Sequence, residues 1–400
     1  MRIERPVFAI LLAALAMLGP FSIDTYMPSF PEIGGTFGAS ALEMQFTISA
    51  FLATFAVMAL FHGAIADTFG RRPVILVNLA VFVVASAGCA LATEFDQLLW
   101  FRALQGLAGG AGLIIGRAMI RDSFAGDDAQ RMLSTVTMIF GVAPAVAPII
   151  GGWLQSWLGW RSVFAFLAAY AALLFACCCW RLPETLSAGD RQRFAPGALF
   201  ANYARVFGSR RFVLLSSAIA FNFCGFFIYI AAAPAVVYQW LGLGAGEFAW
   251  LFVPGISGIV IGAFVSGRVA GRLRPAQTLR LAFGVMFAAV AANIAYHAGA
   301  APALPWTVLC VMLYTTGMAI AMPTLTLLAL DLFPHNRGMA ASVQGFQHGL
   351  FTAIAAVAIV PHVADSALAV ALTAAALLGC GFACAFMFLR VPANGRSHES

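Results

Sequence analysis

Apolar residues recur along nearly the whole chain in long runs separated by short polar breaks. A run of about 20 such residues is what an α-helix needs to cross the hydrocarbon of a bilayer. The pattern predicts twelve spans, centred near residues 18, 54, 83, 108, 144, 171, 225, 258, 288, 317, 350 and 377. The longest polar stretch, Pro183 to Arg211, follows the sixth span and divides the chain into 1–182, a linker at 183–211, and 212–400. Gly267-Arg268-Val269-Ala270-Gly271-Arg272-Leu273 follows the eighth span much as Gly63-Ala64-Ile65-Ala66-Asp67-Thr68-Phe69 follows the second, and Arg72-Pro73 and Arg274-Pro275 close the two copies. The expectation is an all-α membrane protein of two six-helix halves, with a ligand site at the midplane between them.

Composition fits that class. Hydrophobic residues make up 62% of the chain and charged residues 10%, against about 25% charged in a soluble domain. The first apolar run is too long for the core of a signal peptide and lacks a small-residue cleavage site, so no cleavable leader is expected. The net charge of +6 comes from arginine alone, because lysine is absent. Arg71, Arg72, Arg121, Arg131, Arg181, Arg191, Arg193, Arg205, Arg268 and Arg337 fall in alternate loops, whereas Glu32, Glu43, Glu94, Asp96, Glu247 and Asp365 occupy the others, with Arg161 the one basic exception. That asymmetry places both termini in the cytoplasm and accounts for the charge without a nucleic-acid partner. The eight cysteines lie within spans and lack the loop positions and histidine spacing of a disulfide framework or metal site.

A few polar residues interrupt the apolar runs. Asp24 lies in the first span and Arg102 in the fourth, and they are the ionisable side chains expected well inside the first half. Such groups normally face a cavity and work. Asp24 reads as the group that takes and releases a proton or meets a polar substrate, and each is expected to be the other's partner. The alternative leaves Asp24 among the headgroups and lets Arg102 snorkel outward. Gln105 shares a helix face with Arg102. Pro144 and Pro148, with Gly151 and Gly152, predict a kink and close helix approach in the fifth span. Asp67, bounded by Gly63 and Gly70, could accept backbone N–H groups or pair with Arg71, Arg72 or Arg121 at a moving cytoplasmic seam. Asn222, Tyr229, Gln344 and His348, with Tyr26 in the first half, are candidates for lining a substrate cavity, although helix-to-helix hydrogen bonding explains buried polar groups equally well.

Together these residues resemble the major facilitator superfamily. Gly63, Asp67, Gly70, Arg71 and Arg72 resemble its loop motif between helices two and three, although Thr68 stands where a basic residue is usual. Arg102, Gln105 and Gly106 resemble its helix-four motif, associated with proton coupling. Pro148, Gly151 and Gly152 resemble the helix-five motif of its antiporters, with Ala147 where a glycine is usual. Asp24-Thr25-Tyr26-Met27-Pro28, Gly159-Trp160-Arg161 and Leu182-Pro183-Glu184-Thr185-Leu186 look like the bicyclomycin and chloramphenicol resistance exporters. The resemblance implies a monomeric twelve-helix drug:proton antiporter of the bacterial inner membrane, with a small-molecule substrate, protons and lipid as partners, the proton gradient as energy source and no cofactor. A proton-linked importer, an exporter of one endogenous metabolite and a non-transporting sensor are the alternatives. No loop carries a catalytic set, so no enzyme activity is expected.

The topology is testable directly. An alkaline phosphatase reporter fused at Arg193 is expected to be inactive and one fused at Glu94 active; the reverse pair of activities overturns the orientation.

Overall fold

The computed structural model describes residues 4–124, 126–191, 196–334 and 336–390, and Arg193 lies outside them. Every regular element in the described residues is helical. Hydrocarbon requires this, because a segment without water must satisfy its own backbone N–H and C=O groups. The first span comprises α1 (Arg5–Asp24), a tight turn at Met27–Ser29 and the short α2 (Phe30–Phe37). Next come α3 (Ala41–Phe69), α4 (Arg71–Leu91), and α5 (Phe95–Gly109) with α6 (Ala111–Ser123), which form one span interrupted at Gly110. The fifth and sixth spans are α7 (Gly126–Leu158) and α8 (Trp160–Arg181), and α9 (Pro196–Gly208) lies in the linker. The second half contains α10 (Arg210–Ala231), α11 (Ala249–Val269), α12 (Pro275–Gly299) and α13 (Trp306–Leu330). It ends with α14 (Arg337–Ile354), a π-helical stretch at Ala355–Ile359, α15 (Val360–Val363) and α16 (Ala367–Arg390). Eleven segments of the described residues are long and apolar enough to cross a bilayer. The 33-residue α7 occupies the place of the remaining expected span.

The packing repeats. In the first half α3 lies on α5, α4 on α5 and α8, and α1 on α7; in the second half α11 lies on α13, α12 on α13 and α16, and α10 on α14. Between the halves, α3 meets α14 and α7 meets α11. These seams are tight toward the arginine-poor end. Gln45 Nε2 donates to the Ala231 carbonyl at 2.9 Å, Ser49 Oγ to the Ala353 carbonyl at 3.0 Å, and the Tyr238 hydroxyl to the Pro28 carbonyl at 2.7 Å. Gly152 lies directly on the Ala245 carbonyl, and Gly349 on Ala56. Nearer the arginine-rich end of the same helices, a Cβ added at Gly63, Gly267, Gly338 or Gly345 meets nothing within 4 Å. The halves therefore clasp at the arginine-poor end and splay at the other. There the linker helix joins them. The Tyr203 hydroxyl donates to the Leu60 carbonyl, Phe200 packs on Phe61 with centroids 6.2 Å apart, and Phe207 packs edge-on against Phe346 of α14 at 5.9 Å.

Small residues set the helix separations, because lipid supplies no hydrophobic drive between helices and close van der Waals contact takes its place. Gly106 on α5 sits against the Phe51 carbonyl and Thr54 of α3, with no room for a Cβ. Gly106→Val is expected to lower stability by about 1–3 kcal/mol through overpacking, seen as a lower melting temperature in detergent. Gly345→Ala, in open space, is expected to melt with the parent; equal melting of all three proteins would refute this account of the packing.

Candidate functional site

The fully buried Arg102 is the centre of the first half. Its Nη1 donates to the Ser22 carbonyl at 3.0 Å and to Gln105 Oε1 at 2.8 Å. Gln105 Nε2 in turn donates to Ser86 Oγ at 2.7 Å, and the Cys89 thiol lies 3.7 Å from Gln105 Oε1. The guanidinium plane stands over the rings of Tyr26 and Phe51, 4.6 and 4.8 Å from their centroids. Tyr26 hydrogen-bonds Thr47 of α3. Tyr26 and Gln105 thus belong to the shell of Arg102, in which the arginine's Nε and Nη2 have no hydrogen-bond partner among the described residues.

The expected Asp24–Arg102 pair is not formed. The Asp24 side chain is buried, 4% exposed, and its carboxylate makes no hydrogen bond or ion pair with any described residue. The reason is local. α1 ends at Asp24, so the carbonyls of its last turn lack intrahelical donors and present the negative end of the helix dipole. The Phe21 carbonyl already accepts the Thr25 N–H, and the Ser22 and Thr25 hydroxyls add second bonds to the Leu18 and Phe21 carbonyls at 2.6 and 2.5 Å, whereas the Ser22 carbonyl is taken by Arg102. The cation pairs with a helix terminus and leaves the carboxylate free. Beside it, Gly151 of α7 lies against the Thr25 carbonyl while Gly152 lies against the second half. The stretch around Pro144 and Pro148, inside the uninterrupted α7, therefore wedges between Asp24 and the clasped seam.

The loop between α3 and α4 is held by a separate charged cluster. Asp67 Oδ1 pairs with Arg71 Nη1 at 2.5 Å, and Arg71 Nε with Asp122 Oδ2 at 3.0 Å. Thr185 Oγ1 also donates to Asp122, at 3.0 Å. Gly70 has φ 100°, a conformation that favours glycine. It starts α4 so that the backbone N–H groups of Arg71 and Arg72 point at the Glu184 carboxylate, at 3.0 and 3.2 Å. Arg72 Nη2 reaches the Cys179 carbonyl at 2.6 Å. Two expectations need correction here. Glu184, not Asp67, receives the helix N-terminus, because it approaches α4 along its axis while Asp67 precedes the turn. Arg121 is not a partner of Asp67; its neighbour Asp122 enters the cluster, since one residue is a 100° step around α6. Asp122 was not singled out from the sequence, and Glu184 appeared only within a resemblance. The acid–Arg-Arg–acid signal is spread over three helices, α3, α4 and α6, and the loop after α8. These groups lie in the first half and at the start of the linker, with Gly63 one turn away from Asp67 in open space.

The remaining candidates are in the second half and do not converge on Asp24. The Asn222 carbonyl accepts from the Tyr314 hydroxyl at 2.8 Å, while its side-chain amide has no partner among the described residues. Tyr229 accepts from Asn293 Nδ2 at 2.5 Å, beside a small void lined by Phe226, Cys310 and Tyr314. Gln344 reaches Thr326 weakly at 3.4 Å, and the His348 ring packs tilted against Phe223 with centroids 4.4 Å apart. The sequence also failed to mark Arg117 as an arginine well inside α6.

A two-half bundle of membrane-crossing helices, with buried charge inside one half and a seam closed at one end, defines a transporter rather than an enzyme. A profile described as the Major Facilitator Superfamily matches residues 12–356. YdgK of Bacillus subtilis, named an uncharacterized MFS-type transporter, is 32% identical over 346 residues, covering 86% of this chain and 85% of its own. A bicyclomycin resistance protein homolog of Haemophilus influenzae is 29% identical over 284 residues, covering 70% of this chain and 71% of its own. A chloramphenicol resistance protein of Pseudomonas aeruginosa is 28% identical over 281 residues, covering 70% and 66%. The chain belongs to the Major Facilitator Superfamily, and its named relatives are those of the drug-resistance branch that Asp24-Thr25-Tyr26 and Leu182-Pro183-Glu184 resemble.

The charged cluster yields a prediction. Arg71 has two carboxylate partners, so Asp67→Asn is expected to insert normally and lose part of its transport rate. Asp67→Asn with Asp122→Asn is expected to lose more than the two single losses combined, because only the double variant strips Arg71 of both partners. Strict additivity in transport assays of the four proteins would count against a shared cluster.

Proposed function

We infer that the protein exports small drug-like or toxic molecules across the bacterial inner membrane in exchange for protons, as a monomer with both termini cytoplasmic. The observation that carries the coupling is Asp24, a buried carboxylate without a protein partner at the end of α1. A charged carboxylate there is costly without a counter-ion, so the site favours holding a proton until a route to water opens. Asp24 lies beside the α7 wedge and the clasped seam, where rocking of 1–182 against 212–400 would change its access. Arg102 holds the Ser22 carbonyl and with it the end of α1 that presents Asp24. Asp67, Gly70, Arg71 and Arg72, with Asp122 and Glu184, stiffen the cytoplasmic end of the first half as it moves. Tyr229, Asn222, Gln344 and His348 shape the second half, and the resistance names of the relatives support a drug-like cargo.

The test has two arms. Expression in a host stripped of its efflux pumps should raise resistance to at least one member of a panel containing bicyclomycin and chloramphenicol. In proteoliposomes, an imposed pH gradient should drive movement of that compound, and Asp24→Asn should abolish the pH-driven component while retaining binding. Full-rate pumping by Asp24→Asn with unchanged pH dependence would assign coupling to another group.

A further inference from the structure

Neither α12 nor α16 contains an acidic residue, and each carries an aromatic stripe that ends in an arginine. On α12 the stripe is Arg280, Phe283 and Phe287, spaced three and four residues apart and so on one helix face. On α16 it is Phe382, Phe386 and Arg390, spaced four apart. α12 leaves the arginine-rich end of the bundle and α16 returns to it, so both arginines stand at that end. The stripes face each other. Phe382 packs edge-on against Phe283 and Phe287, with centroids 5.3 and 5.5 Å apart, and stacks on Phe386 at 6.1 Å. From the level of Phe382, Arg280 is about 8 Å along α12 and Arg390 about 12 Å along α16 at about 1.5 Å per residue. The two arginines therefore lie within about one helical turn of the same depth.

The ladder is open on its outer side. Phe287 is 37% exposed, and Phe382 and Phe386 are 42% exposed each. The seam with the first half is made by α14 and α11, whereas α12 and α16 pack on α13, α10 and one another. Their exposed apolar face thus borders hydrocarbon. The Arg390 guanidinium lies over the Phe386 ring, 4.3 Å from its centroid, which leaves the donor edge of the fork free. Arg280 and Arg390 are both exposed, and neither makes a hydrogen bond or ion pair with any described residue. The aromatic face that joins them sets this pair apart from the other exposed arginines. A phospholipid has matching parts: an anionic phosphate at the depth where a span leaves hydrocarbon, and acyl chains running from it beside the helices. Arginine forks fit phosphate oxygens, and basic sites between membrane helices hold anionic headgroups.

We propose that the groove between α12 and α16 binds one anionic diacyl phospholipid, its phosphate held by Arg280 and Arg390 and an acyl chain lying along Phe386, Phe382 and Phe287. The occupant is a lipid because the arginines close the end of an apolar face that a soluble anion would leave bare. The site is separate from the Arg102 shell and the Asp67 cluster and does not depend on what the protein carries.

The experiment uses the full-length protein, delipidated in neutral detergent and titrated with dioleoyl phosphatidylglycerol or dioleoyl phosphatidylcholine, with bound lipid counted by native mass spectrometry. The first phosphatidylglycerol is expected to bind about tenfold more tightly than the first phosphatidylcholine, the scale of two arginines acting on an anionic headgroup. Arg280→Gln with Arg390→Gln is expected to remove most of that preference, and Arg390→Gln alone part of it. Arg205→Gln, which deletes an exposed charge from the linker helix, is expected to keep it. Equal affinities in wild type, an unchanged preference in the double variant, or the same loss in Arg205→Gln each overturn the site. If the double variant does not fold, an unchanged preference in Arg390→Gln overturns it. Displacement of the lipid by an equal concentration of inorganic phosphate would make the ligand a soluble anion and refute the lipid. A dimer mass that persists in wild type, excludes phosphatidylglycerol and is lost in Phe382→Ala would make the occupant a second copy of the chain, again refuting it.

Discussion

A chain in hydrocarbon must satisfy its own backbone, and every departure from regular helix in this protein has to be answered by a side chain. The two places where charge is concentrated are helix ends. At Asp24, α1 stops with the Ser22 carbonyl beyond its last intrahelical donor, and the guanidinium of Arg102 covers it, while the Ser22 and Thr25 hydroxyls add second bonds to carbonyls of the final turns. At Gly70 the chain reverses into α4 with free N–H groups, and the Glu184 carboxylate covers those. In both cases the sign of the side chain opposes the sign of the helix end. Charge here is first a solution to the backbone problem, and the buried Asp24 carboxylate is what is left over at the end of α1 once that problem is solved.

The same constraint explains the spacing of the helices. With no hydrophobic drive between helices in lipid, contact depends on backbones coming close. Gly106 brings α5 onto α3, and the adjacent Gly151 and Gly152 bring α7 onto the end of α1 and onto the second half at once. That pair of neighbouring glycines is where internal packing of one half and contact with the other coincide. A larger side chain at Gly151 would push on Thr25 and one at Gly152 on Ala245, so the environment of Asp24 and the contact across the seam are joined through two adjacent residues.

The spans, their number and the loop motif were legible because each is written locally, in apolar runs and in arginine placement. The fifth span shows how local that signal is: α7 carries Pro144 and Pro148 and still continues as one helix. What the sequence did not carry was pairing. Asp24 and Arg102 looked like partners because they were the evident buried charges, but a free carbonyl at the end of α1 competes for the same guanidinium and has no signature in side-chain identity. Asp122 and Arg121 are neighbours in the chain, and only the rotation of α6 decides which one meets Arg71.

The linker helix ties these parts to motion. α9 is separated from α10 by a single residue, Ser209, whose hydroxyl accepts the Phe212 N–H at 3.4 Å, so α9 and α10 are joined at a short corner. Phe207, near that corner, packs on Phe346 of the second half, and Tyr203 on Leu60 and Phe200 on Phe61 reach the first half. At about 1.5 Å per residue, thirteen residues make a rod of about 20 Å. A few degrees of rotation at its corner become ångströms at its tip. The helix is a lever laid across the fulcrum of the two bundles: any rocking of one against the other must slip an aromatic bearing or bend that corner, so the stiffness of the corner would limit how far the arginine-rich mouth could swing.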